Sequence, residues 1–164
     1  MAGNPILGLL LAPLVLAALA VALLAAPLVL GWNRWRSASL RRRFEAKWGP
    51  EGKVGLLVYS NSPHWQEYVE TRWCPHLTDR MVVLNWSERR RWPDAAPLEG
   101  KIHAHWAGDR EYNPVAIVFP AGARPAVLRF RKPFRDYRHG RPAALLAAES
   151  ELARLTGATG IGAP

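Results

Sequence analysis

The sequence predicts an α/β protein: an N-terminal transmembrane helix followed by a small domain whose elements run β-α-β-α-β-β-α. Three observations predict it. An uncharged stretch of 28 residues runs from Pro5 to Trp32, apolar runs alternate with helical segments from Lys53 onward, and two apolar runs joined by "AGARP" precede one last helix. The stretch exceeds the roughly 20 residues a helix needs to cross the hydrocarbon core. It is too long for the apolar region of a cleaved signal peptide, and no Lys or Arg precedes it.

Three regions follow: an anchor over 1–32, a basic juxtamembrane helix and linker over 33–52, and the α/β domain over 53–164. All 22 Lys and Arg lie beyond the uncharged stretch, and the formal net charge is +9. Arg34, Arg36, Arg41, Arg42 and Arg43 flank its C-terminal side, and such flanks stay cytoplasmic. The expected place is therefore the inner (plasma) membrane, single-pass, with the C-terminal domain in the cytoplasm. "SLRRRFEAKW" repeats Leu40, Phe44 and Trp48 at helical spacing, and "GPEG" punctuates that helix.

Within the domain, "KVGLLVYS" reads as a buried strand and "PHWQEYVETRW" as a helix stopped at Pro75. "DRMVVLNW" is the next strand, completing a unit with parallel strands. "LEGKIHAHWAG" is read as a helix with Leu98, Ile102 and Trp106 on one face and Gly108 as its stop. "NPVAIVFP" and "AVLRFRK" then form an antiparallel hairpin, in whose second strand Phe130 faces the core between Arg129 and Arg131. A helix from near Pro142 to Gly157 closes the domain.

That order, with Pro114 immediately before the third strand, resembles the thioredoxin fold over about Lys53 to Gly157. The resemblance implies a catalytic Cys-x-x-Cys at the end of the first strand, opposite a proline that is usually cis. The matching stretch here is "YSNSPHW", which holds no cysteine, so the redox function does not carry over. What carries over is a groove between Ser60–Trp65 and Tyr112–Pro114, with Asn61, His64, Trp65, Tyr112, Asn113 and Pro114 as candidate binding residues. The chain's one cysteine, Cys74, resembles the start of a Cys-Pro-His-Cys motif, but Leu77 replaces the second thiol. It also follows the predicted helix instead of opening it, where a helix N-terminus would lower its pKa. A structural thiol is the expectation.

Other chemistry finds little support. His103 and His105 would share a metal on a strand, but on a helix they point about 200° apart. No Gly-x-Ser-x-Gly elbow and no phosphate loop surrounds Ser60 or Ser62. No catalytic residue, metal or cofactor is therefore assigned. The basic segment "RFRKPFRDYRHGR" interleaves arginines with aromatics. Beside an anchor it suits anionic lipid headgroups or another membrane protein more than nucleic acid, and Arg129 and Arg131 join the juxtamembrane arginines as contact candidates. The function expected is that of a non-catalytic binding or scaffold module. The alternative is a small membrane-bound enzyme, hydrolase-like or metal-dependent, using His64 or the His103/His105 pair.

Overall fold

The computed structural model describes residues 5–91, 97–108 and 113–161, with side chains from Val15 on except at 17, 20, 91 and 97. Helix α1 spans Pro5–Trp48, and the chain divides into two compact units, Met1–Ser39 and Leu40–Pro164. In the first unit the described residues are helical, Val21, Leu23, Leu24 and Leu28 are exposed, and the Trp32 and Trp35 rings lie 5.1 Å apart.

The expected transmembrane anchor over 1–32 is corrected here. Among the described residues no helix is long and apolar enough to cross a membrane. The single-pass assignment to the inner membrane, with the domain in the cytoplasm, falls with the anchor.

The second unit is a mixed α/β domain around a four-stranded sheet of order β2-β1-β3-β4. Strand β1 (Gly55–Tyr59) pairs in parallel with β2 (Met81–Asn85) and antiparallel with β3 (Val115–Val118), which pairs antiparallel with β4 (Ala126–Arg129). All five residues of β1 are buried, as a strand covered on both faces requires. Gly55 is required by space, because a Cβ there would press on the Ile117 carbonyl and lie 3.0 Å from Val118 Cα.

Alternation along the strands divides the core into two faces. One face carries Leu56, Val58, Ile117 and Val115, covered by Leu40 and Phe44 of α1 and by Leu98 and Ile102 of α4 (Pro97–Ala107). The other carries Leu57, Tyr59, Ala116 and Val118. It is covered by Trp73, by Phe130 and Phe134, and by Leu145 and Leu152 of α6 (Ala143–Thr156). Each fully buried Leu or Phe contributes about 1.5–3 kcal/mol.

The helix after β1 does not stop at Pro75. Helix α2 (Gln66–Tyr68) widens into a π-helical turn (Val69–Trp73) and continues as α3 (Cys74–Leu77). A proline ring clashes with the carbonyl four residues back and donates no bond to it. The widened turn opens that position, so Pro75 sits in the first turn of the next α-helical segment. The expected antiparallel hairpin forms as β3 and β4, but its second strand is shorter than read, since β4 ends at Arg129 and α5 (Arg131–Arg138) follows at once. Phe130, Phe134 and Tyr137 recur at i, i+4 and i+7, which lays the first two rings into the core. Pro133 is tolerated because it falls in the first turn.

Candidate anion-binding groove

Strand directions bring four loop ends to one edge of the sheet. Tyr59 stands beside Asn85, Val58 beside Val115, and Val115 beside Arg129. The turn after β1, the start of β3 and the entry to α5 thus share the edge where the parallel strands terminate, the usual ligand side of open α/β sheets.

The turn "SNSPH" is held by its own backbone. Ser62 N–H donates to Ser60 O at 2.7 Å, and the Ser62 carbonyl accepts from Trp65 N–H at 3.2 Å and Gln66 N–H at 2.9 Å. Asn61 is tied towards β2, where its side chain accepts from Asn85 Nδ2 and its N–H donates to Ser87 Oγ at 3.0 Å. His64 is exposed, and its ring meets Trp65 edge-on at 6.2 Å.

Between this turn and α5 lies a cavity of about 760 Å³, lined by His64, Trp65, Arg129, Arg131, Lys132, Phe134, Arg135, Arg138 and His139. Five of these residues are cations and none is an acid. On α5, Arg131, Arg135 and Arg138 stand at i, i+4 and i+7, hence along one face. Arg129 Nη2 donates to the Trp106 carbonyl at 3.1 Å and lies 3.5 Å from the Ala107 carbonyl, in the last turn of α4, where carbonyls lack intrahelical donors. Asp136, the one acid of the segment, is half-buried and engaged by Arg141 Nη2 at 3.4 Å, with Arg135 Nε at 3.8 Å. Lys132 and Arg138 have no acidic or hydrogen-bonding partner among the described residues.

The sequence-predicted binding set is partly assembled. His64 and Trp65 line the cavity, and Arg129 and Arg131, read as partner contacts, line it with them. Asn61 is turned to β2. Asn113 and Pro114 are buried, joined by a cis peptide bond, and outside the lining; Tyr112 lies outside the described residues. The arginines after the uncharged stretch separate. Arg34 and Arg36 belong to the first unit, and Arg42 and Arg43 are exposed on the second. Arg41 is a strut, donating to Pro120 O at 2.8 Å, to Ala123 O at 2.6 Å and to Glu45 at 2.7 Å. Lys132, Arg135, Arg138 and His139 were not singled out as site residues by the sequence, although the i, i+4, i+7 spacing of Phe130, Phe134 and Tyr137 signals the helix that presents them.

The catalytic alternatives are not assembled by the described residues. His103 is buried against Trp86, with ring centroids 4.5 Å apart, while His105 meets Trp106 at 4.6 Å. Both lie on α4, where two-residue spacing turns them to different faces. Among the described residues no three His, Cys, Asp or Glu side chains form a metal-holding group. Burial, and secondarily the Glu70 carboxylate, pushes the Cys74 thiol above its ordinary pKa, opposite to the shift a reactive cysteine needs.

Fold and site together define a mixed α/β domain with a cationic recess at one end of its sheet. Comparison with known proteins attaches no family to that description: no family model, no curated protein and no solved structure matches the chain.

Proposed function

We propose that the domain is a non-catalytic binding module whose ligand is anionic and sits in the groove between the β1–α2 turn and α5. One observation carries the reading: five cations converge on a cavity of about 760 Å³ without a lining carboxylate. Confining like charges in a recess costs repulsion, which an anion offsets. The volume is that of a small-molecule site, within the common range of about 300–1,000 Å³. The resemblance to the thioredoxin fold is part of the same reading, supported by the strand order and by the meeting of the β1 and β3 ends at one edge. In that reading the place of the redox pair is taken by a serine-rich turn whose His64 and Trp65 face the groove.

Calorimetric titration of the full chain with sulfate and pyrophosphate tests the proposal. Saturable 1:1 binding that weakens as salt is raised is expected. Absence of binding to any anion at low salt overturns it.

A further inference from the structure

Resting on that reading, we infer that the groove's ligand is a small aromatic anion, a ring bearing one anionic group, with that group held at Lys132 and Arg138 and the ring against Trp65 and His64. Size gives the first reason. The cavity of about 760 Å³ falls in the range that takes a whole organic ligand, about 300–1,000 Å³, and a bare oxyanion would leave most of it to water. The ligand therefore has a body as well as a charge.

The charge to be met is small. Of the lining cations, Arg129 is tied to carbonyls of α4, Arg135 lies beside Asp136, and Arg131 has an interaction of its own within the fold. Lys132 and Arg138 remain, both exposed and without an acidic or hydrogen-bonding partner among the described residues. Two such cations suit one anionic head.

The opposite wall is aromatic. Trp65 lines the cavity and is half-buried, while its Nε1 is enclosed. That nitrogen is the side chain's one polar atom, so what the side chain offers the cavity is carbon. The exposed His64 ring stands at 67° to the indole with centroids 6.2 Å apart, and two rings so inclined form a corner. A flat ring can stack on one wall and meet the other edge-on, the arrangements aromatic pairs prefer. Cations beside it are drawn to its face as well as to its charge, which favours an aromatic body over an aliphatic one. A nucleic-acid strand would need exposed aromatic faces for successive bases, and Phe134, behind Trp65 in the lining, is 1% exposed.

Calorimetry on the full chain with methyl phosphate and phenyl phosphate tests the inference, because the two carry the same charge on different bodies. At pH 8, above the ordinary titration range of histidine, phenyl phosphate is expected to bind about tenfold tighter or more, from the apolar area its ring buries. Trp65→Leu and His64→Ala, the second at an exposed position that spares the fold, should each shrink that ratio at least about threefold. Lys132→Gln and Arg138→Gln act on the head and should weaken both ligands by similar factors, about tenfold. Arg42→Ala/Arg43→Ala, which removes exposed cations outside the groove, should change either affinity less than about twofold. Equal affinities for the two ligands overturn the aromatic body while leaving anion binding standing, and no binding of either overturns the anion reading as well. A ratio unchanged in His64→Ala and in folded Trp65→Leu overturns the placement of the ring. Loss of binding in the Arg42/Arg43 variant, with the Lys132 and Arg138 variants unaffected, overturns the site itself.

Discussion

Two segments of this chain look alike as sequence and differ in what their cations do. "SLRRRFEAKW" and "RFRKPFRDYRHGR" both interleave arginine and lysine with aromatic residues at helical spacing. In the first, Phe44 enters the core, Arg41 is taken up by the Pro120 and Ala123 carbonyls, and Lys47 by Glu99 at 2.8 Å. In the second, Phe130 and Phe134 enter the core as Phe44 does and Arg129 is held by α4 carbonyls, but five cations line a recess and the one nearby acid, Asp136, is divided between Arg135 and Arg141. Composition gives the charge of a segment, while the neighbours brought by the fold decide whether that charge is consumed.

The sharpest way to break the comparison is to delete cations from each segment. Arg135→Gln/Arg138→Gln should weaken pyrophosphate binding by roughly 100-fold, two charge-assisted contacts at about 1.5 kcal/mol or more each, with the melting temperature nearly unchanged. Titration beside a thermal melt checks both halves. Arg41→Ala should do the reverse. It removes bonds to two carbonyls and should cost about 1–2 kcal/mol, a few degrees of melting temperature, with binding within about twofold of wild type.

Each face of the sheet also buries a glutamate against a tryptophan. Glu99 accepts from Trp48 Nε1 at 2.6 Å and from Lys47, while Glu149 accepts from Trp73 Nε1 at 2.7 Å and from Tyr68 Oη at 2.9 Å. Burial and the bond to Glu149 hold the Tyr68 phenol well above its ordinary pKa. Glu149→Ala leaves both donors buried without that acceptor and should cost about 2–4 kcal/mol, which denaturant unfolding would report as a lower midpoint at constant slope. The smallest effect belongs to the lone thiol. Cys74→Ser should leave anion affinity unchanged, and native Cys74 should alkylate more slowly at pH 8 than a free cysteine, because its raised pKa lowers the thiolate fraction.

The strands were legible because each is a short apolar run bounded by turn residues, and the final helix because Pro142 and Gly157 mark its ends. Helix α5 was hidden because Arg129-Phe130-Arg131 alternates as a strand does, although the phenylalanine spacing that follows is helical. Pro75 misled for a related reason, since the π-turn that accommodates it leaves no local signature. The N-terminal stretch misled in the other direction: its lack of charge reads as an anchor, whereas among the described residues no helix is long and apolar enough to cross a membrane. Of the cavity lining, the sequence singles out His64 and Trp65, but for a groove against Tyr112–Pro114 and not against α5, and Arg129 and Arg131 as lipid or partner contacts. Their convergence was not legible, because it depends on β4 ending at Arg129 and on Asp136 being occupied by Arg141, and both are facts of packing.

The most direct measurement is amide hydrogen exchange of the full chain with and without saturating pyrophosphate. A ligand in the groove between the β1–α2 turn and α5 should slow exchange in residues 62–66 and 129–139 and leave 41–48 unchanged. Protection confined to 41–48, or binding without protection in either groove segment, would contradict the account.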